Sequence, residues 1–288
     1  AGGLNFLFGI ENNISTQIAI IVGVTAIALV SVTRGLNGGV KLLSNINMLI
    51  AALLLFFVII AGTVSVFFDH LFNTFTSYAK TILPLSNPVD REDEAWFHGW
   101  TVFYWAWWVS WSPFVGMFIA RVSKGRTVRE FMTAVLIVPT LVSLVWMAAF
   151  GGNALEQVQN DVGALSKGIS EVPLAMFQML ENLPLSTITS SLAIVLVLVF
   201  FITSSDSGSL VIDSITSGGK IDSPVSQRIF WATVQGLVAG VLLFGGGAQA
   251  LSTLQAGSVA TGLPFAVILL LMCVSLYKGL SAEMHKLK

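Results

Sequence analysis

Long stretches without charged side chains alternate with short polar segments along the whole chain. Windows that lack Asp, Glu, Lys and Arg occur at 12–33, 42–68, 99–120, 131–155, 182–205 and 229–277. A membrane-spanning helix needs about 20 mostly apolar residues, so each window is long enough to cross a bilayer. Glycines at 245–247 and 257 divide the last window into two. The pattern therefore predicts seven spanning helices, at about 16–33, 44–68, 99–120, 131–150, 186–207, 228–245 and 258–277.

The basic residues between these windows predict an orientation. Most of the 14 Lys and Arg residues follow the odd-numbered spans, at Arg34, Lys41, Arg121, Lys124, Arg126, Arg129, Lys220, Arg228, Lys278, Lys286 and Lys288. Loops on the cytoplasmic side of a membrane carry an excess of Lys and Arg. We therefore expect the start of the chain outside and its C-terminus inside.

Two of the predicted outer segments are long. Apolar residues recur at helical spacing over 69–84, which predicts a short amphipathic helix lying in the membrane interface. A disordered loop is the alternative. Residues 152–185 hold a weaker helical patch near Met176–Leu180, and residues 85–95 have the composition of a solvated linker.

Composition assigns the chain to the all-α integral membrane proteins. Of its 288 residues 55% are hydrophobic and only 10% are charged, whereas soluble domains carry about 25% charged residues. The net charge of −1 offers no basic field for nucleic acid, and the single cysteine, Cys273, excludes an internal disulfide and a thiolate metal cluster. The sequence contains no enzyme motif and no channel-filter pattern, so neither class is favoured. Because the first residue is Ala1, we expect an N-terminus that was removed or a fragment.

The stretch "YWAWWVSWSPF" at 104–114 is the strongest candidate for a binding site. Trp107, Trp108 and Trp111 lie within roughly 5 Å of the middle of the predicted span, too deep for an interface belt. Trp107 and Trp111 share one stripe, and Tyr104 and Trp108 share another. Indole faces bind quaternary ammonium groups, although a packed aromatic core is the alternative.

A proline follows these tryptophans. Pro113 removes a backbone donor, which predicts a helix broken beside Ser110 and Ser112. Broken helices at mid-depth are typical of binding sites in transporters.

Four segments resemble the betaine/choline/carnitine transporter family, and the resemblance extends over the whole chain. They are "GWTVFYWAWW" (99–108), "VSWSPFVGMFIARVSKGRTVREF" (109–131), "LSNINM" (43–48) and "FFITSSDS" (200–207). The resemblance implies a LeuT-like inverted-repeat transporter fold, of whose twelve spans residues 1–288 would supply the last seven within one transporter domain. It also implies a bacterial cytoplasmic membrane, contact with membrane lipid and a homotrimer. The absent spans would hold a glycine-rich unwound helix and most of an aromatic box.

The same resemblance assigns roles to the tryptophan-rich helix. Trp108 would complete the aromatic box around a trimethylammonium group, and Tyr104 shares its stripe. Trp107 and Trp111 match residues on the transport path and near the substrate. Phe114 resembles a residue next to a second sodium position, although simple helix packing is an equal alternative.

The segment "FFITSSDS" carries the second candidate site. Thr203 and Ser204 offer two adjacent hydroxyl oxygens, a ligand type suited to alkali cations, although such hydroxyls commonly bond to the backbone of their own helix. By resemblance both are side-chain ligands of Na⁺, and Phe200 supplies a carbonyl ligand. Asp206 is the one acid predicted within a span; it could form a cytoplasmic gate with Arg121 and Arg126, or extend to water.

Together these observations predict a sodium-coupled symporter that imports a quaternary-ammonium or betaine-type solute by alternating access. Na⁺ would be the coupling ion, and no organic cofactor is implied. Proton-coupled symport and sodium-independent exchange of substrate for product remain the alternatives. The sequence does not indicate which onium solute is carried.

Overall fold

The computed structural model describes residues 1–35, 39–220 and 224–286, which form helices joined by turns and contain no strand. Six helices in these ranges are long and apolar enough to cross a membrane. They are Ile14–Arg34, Lys41–Ala61, Val128–Gln159, Ser186–Thr216, Val225–Gly246 and Ser252–His285. The all-helical membrane architecture is thus confirmed, whereas the inverted-repeat arrangement stays a prediction.

The predicted span at 99–120 is helical but is not among these six. A π-helical turn, Phe97–Val102, leads directly into the α-helix Phe103–Val122, here called α6. It contains tryptophans, serines and a proline, and indole and hydroxyl groups each carry a polar atom. The seventh span stays a prediction.

The chain turns earlier after the second span than the charge-free window suggests. Helix α2 is Ile14–Gly35 and helix α3 is Lys41–Ala61. The chain then turns at Thr63, which has a positive φ of 76°, and α4 begins at Val64 and ends at Ser86. The residues just after the turn therefore belong to the amphipathic helix, because an apolar window records composition and not the direction of the chain.

The later helices extend past their predicted ends. Helix α11 is Ser186–Thr216, α12 is Val225–Gly246 and α13 is Ala250–Lys286. Asp206 and Asp213 lie inside α11. A charged residue ends an apolar window without ending a helix, which is why the sequence places the end of α11 too early.

The chain forms two compact units. The first contains the described residues of Ala1–Thr81 and Gly125–Val241, and the second those of Ile82–Lys124 and Leu242–Lys288. The core of the first unit brings together α3, α4, α11 and the segment after residue 145, through Leu54, Val58, Phe67, Ala148, Ala149, Phe150, Leu165, Phe177, Met179, Leu180 and Ala193.

The segment 152–185 belongs to that core and is more than a loop. Its helix Ala175–Glu181, α10, buries Phe177, Met179 and Leu180. The Gln157 amide donates to the Met179 carbonyl at 3.0 Å. The weak helical patch in the sequence thus corresponds to a helix that covers the core. The sequence indicates the helix, but its place against the core is known only from the packing.

In the second unit, α6 packs against α13. A Cβ atom on Gly262 would come within 3.3 Å of Ala106, so the two helices approach closely there. Their contact positions the tryptophan-rich helix.

Candidate functional site

Helix α6 runs without a break through Pro113, from Phe103 to Val122. The predicted break is therefore wrong. The Ser110 hydroxyl donates to the Trp107 carbonyl at 3.0 Å, and the Ser112 hydroxyl donates to the Trp108 carbonyl. These bonds satisfy carbonyls in the turn before the proline and occupy both hydroxyl hydrogens.

The irregular backbone lies more than two turns earlier than predicted. The π-helical turn Phe97–Val102 precedes the tryptophans. Such turns occur frequently at functional sites.

The aromatic rings of α6 are largely uncovered. Tyr104, Trp107 and Trp111 are between 41% and 49% exposed, and Trp108 is 68% exposed. Residues 1–288 therefore do not bury these rings in a packed aromatic core by themselves, and the substrate role of the rings stays a prediction.

The ring contacts differ from the predicted stripes. Tyr104 stacks on Trp100, with centroids 5.8 Å apart and planes at 10°, and also contacts Trp107. Phe103 stacks on Trp107 with centroids 5.8 Å apart. Trp108 has no ring partner among the described residues. The neighbouring rings stack on one another, whereas no described ring stacks on the indole of Trp108.

Phe114 packs between two other aromatic rings. Its centroid lies 5.4 Å from that of Phe265 on α13 and 6.2 Å from that of Trp111. This geometry is the helix packing that was the alternative for Phe114. Its place beside a second sodium position stays a prediction.

An apolar cavity of about 520 Å³ lies between α6 and α13. Trp105, Ala106 and Val109 line it from α6, and Val259 and Leu263 line it from α13. The predicted substrate residues Trp107, Trp108 and Trp111 are not part of its lining. The cavity and the predicted substrate face are therefore separate features of α6.

The predicted sodium ligands lie in one turn of α11 in the first unit. The Thr203 hydroxyl donates to the Phe200 carbonyl at 2.9 Å, and the Ser207 hydroxyl donates to the Thr203 carbonyl at 2.9 Å. The bond from Thr203 is the local backbone interaction that was the alternative for this residue. The same bond places the Thr203 hydroxyl oxygen and the Phe200 carbonyl oxygen 2.9 Å apart. For both oxygens to bind Na⁺, the hydroxyl hydrogen of Thr203 would have to rotate away from the Phe200 carbonyl.

The two faces of α11 have different surroundings. Phe200 and Ser204 are exposed and Thr203 is half-buried, whereas Ile202 and Asp206 are buried. Residues at helical spacing share a face, so the predicted ligands lie opposite the packed side of the helix.

Asp206 is completely buried, so it does not extend to water in this structure. It lies beside Ser31 of α2. The Ser31 hydroxyl interacts with the Asp206 carboxylate, but the two groups do not reach the geometry of an ordinary hydrogen bond. Arg126 is exposed in the same unit, and Arg121 belongs to the second unit. A gate formed by these three residues stays a prediction.

A buried polar row on α11 was not recognised from the sequence. Ser205, Asp206, Ser209 and Asp213 follow one another at helical spacing. The Ser209 hydroxyl donates to the Gln235 amide oxygen of α12 at 2.7 Å. The guanidinium of Arg228 lies 3.8 Å from the Asp213 carboxylate. The spacing alone could have revealed this row, had α11 not been predicted to end at 207.

The sequence of the chain is similar to those of known membrane transporters. The model of the BCCT family, the betaine/carnitine/choline family transporters, matches residues 1–285. A glycine betaine/proline/choline/ectoine transporter of Vibrio parahaemolyticus is 61% identical over 98% of this chain and 50% of its own length. The glycine betaine transporter OpuD of Bacillus subtilis is 41% identical over 100% of this chain and 56% of its own length. The chain thus spans about half the length of these relatives.

Proposed function

The chain belongs to the BCCT family of betaine/carnitine/choline transporters, and on that basis we propose that it works in a sodium-coupled symporter for a quaternary-ammonium or betaine-type solute. The chain is a multi-pass membrane protein of a transporter family, which supports transport of compatible solutes. Alternating access requires that solute and Na⁺ each bind one conformation better than the other. The direction of transport is inward, across a bacterial cytoplasmic membrane.

The open indole face of Trp108 is the observation that carries the substrate class. A cation placed over an indole ring gains about 0.5–2 kcal/mol, most when water is excluded. Trp108 offers such a face because its neighbours stack on each other and not on it. In this proposal Trp107, Trp111 and Tyr104 form the surrounding wall.

The sodium proposal depends on oxygen ligands of α11. The Phe200 carbonyl and the Thr203 hydroxyl are already 2.9 Å apart, and Ser204 is exposed beside them. Na⁺ is a hard cation and is held by oxygen atoms of this kind. Na⁺ would be a co-substrate, since it would cross the membrane with the solute.

Replacing Trp108 with leucine tests the substrate proposal. We expect the KM for glycine betaine to rise by about tenfold or more, the size of a cation–π contribution near 1.4 kcal/mol. Uptake of radiolabelled glycine betaine is measured with the full-length gene product in cells that lack other betaine uptake. Replacing sodium with potassium in the same assay, at two pH values, separates sodium coupling from proton coupling and from exchange.

Trp105→Leu is the matched control. Trp105 is 65% exposed on the same helix but lines the cavity against α13. We expect its KM to stay within about twofold of wild type. Normal uptake by Trp108→Leu, with normal amounts in the membrane, would refute the assignment.

A further inference from the structure

Gln235 of α12 binds the turn of α11 that carries the predicted sodium ligands. Its amide oxygen accepts a hydrogen bond from the Ser209 hydroxyl at 2.7 Å and one from the Ser205 hydroxyl at 3.3 Å. The Ser209 hydroxyl also lies 2.9 Å from the Ser205 carbonyl, so its one hydrogen is shared. One side chain of α12 thus holds two successive turns of α11.

The close approach of the helices makes this contact possible. A Cβ atom on Gly208 would lie 2.9 Å from the Gln235 amide nitrogen, so the amide packs directly against the Gly208 backbone. The next residue, Gly236, lies against the Thr25 side chain of α2. At this level α12 contacts both α11 and α2.

The held turn is covalently continuous with the predicted ligands. Ser205 directly follows Ser204, and the Thr203 carbonyl accepts a hydrogen bond from Ser207. The backbone of these residues is helical throughout. Rotation of the helix at Ser205 would therefore rotate the Thr203 and Ser204 oxygens with it.

The α2 side of the same turn carries a polar contact of poorer geometry. Asp206 is buried beside Ser31, whose hydroxyl interacts with the Asp206 carboxylate, but the two groups do not reach the geometry of an ordinary hydrogen bond. The bonds to Gln235 at 2.7 and 3.3 Å are therefore the better-aligned polar contacts of this turn.

We propose that Gln235 is a positioning residue for the sodium site: its hydrogen bonds to Ser205 and Ser209 hold α11 at the rotation that aims Thr203 and Ser204 at the ion. This inference rests on the proposed sodium coupling. It assigns Gln235 no direct contact with Na⁺ or with the solute.

Gln235→Met tests the inference, because methionine keeps the length of the side chain and removes the acceptor. We expect the sodium concentration for half-maximal betaine uptake to rise about fivefold, which corresponds to ~1 kcal/mol, the usual net contribution of a hydrogen bond. At saturating sodium the maximal rate should return to that of wild type. A merely structural defect would lower the maximal rate and would not be rescued by sodium.

Gln227→Met is the matched control. Gln227 also joins α12 to α11, through a hydrogen bond of 3.3 Å to the Thr216 hydroxyl. Thr216 lies roughly 18 Å along the helix from Ser204, at 1.5 Å per residue. We expect its sodium curve to match wild type.

Several outcomes would overturn the inference. A Gln235→Met sodium curve identical to that of Gln227→Met would do so. If Gln235→Met does not reach the membrane, Ser205→Ala combined with Ser209→Ala removes the same bonds with smaller changes, and an unchanged sodium curve for that variant is equally decisive. If wild-type uptake itself ignores sodium, the proposed coupling fails instead, so the two failures are distinguishable.

Discussion

Arg91 joins the end of α4 to the start of the tryptophan-rich helix, and replacing it with glutamine tests how firmly that helix is held. One guanidinium nitrogen lies 3.2 to 3.3 Å from the carbonyls of Pro84, Leu85 and Asn87. The guanidinium also forms a two-pronged pair with Asp93, and lies 4.6 Å from the ring centre of Phe97. The Arg91 side chain is only 11% exposed. The change to glutamine removes all of these contacts at once.

The size of the effect follows from these contacts. One nitrogen carries two hydrogens, so two of the three carbonyls are bound at a time, at about 0.5–1.5 kcal/mol each. The contact with the Phe97 ring adds about 0.5–1 kcal/mol. The pair with Asp93 adds only a small further stabilisation, because its carboxylate is exposed and screened by water. We expect a loss of about 1.5–4 kcal/mol, which lowers Tm by roughly 3–7 °C for a chain of this size.

The effect should also depend on pH in a defined direction. The hydrogen bonds from Arg91 lower the pKa of Asp93 below its ordinary value. A carboxyl group with a lowered pKa stabilises the fold above its unfolded pKa of about 3.9, and this contribution disappears as pH falls through the lowered value. The difference between wild type and Arg91→Gln should be constant from about pH 5 to 8 and shrink below about pH 4.

Thermal unfolding of the detergent-purified protein measures this difference. Lys80→Gln is the matched control, since it removes one positive charge from the exposed surface of α4. Its Tm should stay within about 2 °C of wild type, as for most surface changes. An Arg91→Gln variant that melts with the control would refute the structural role of Arg91.

Two further predictions concern α11 and α12. Thr203→Ala combined with Ser204→Ala should raise the sodium concentration for half-maximal uptake, since it removes two oxygen ligands; an uptake curve with unchanged sodium dependence would contradict the ligand assignment. Gly236→Val should lower Tm by several degrees because its side chain would overlap Thr25, whereas Gly240→Val has open space within 4 Å and should have a small effect. Equal Tm values for the two valine variants would show that α12 and α2 do not approach closely.

The aromatic character of the predicted substrate helix could be recognised in the sequence, and its backbone could not. Aromatic residues at mid-span in a charge-free window are visible in the sequence, and their role in substrate binding stays a prediction. The sequence also contains Pro113, from which a break was expected. Proline removes one donor but does not always end a helix, and here α6 continues from Phe103 to Val122 while Ser110 and Ser112 donate to the carbonyls of Trp107 and Trp108. These bonds depend on side-chain rotamers, which composition does not reveal.

The sequence by itself determined the class of the protein, the approximate position of its apolar helices and the family to which it belongs. These features depend on composition, period and local motifs, which are properties of neighbouring residues. Only the tertiary structure decided that segment 152–185 closes the core, that no ring among the described residues stacks on Trp108, and that Gln235 reaches Ser205 and Ser209. The first and the last depend on residues far apart in the chain that meet through packing, and a glycine such as Gly236 lets α12 approach Thr25 of α2.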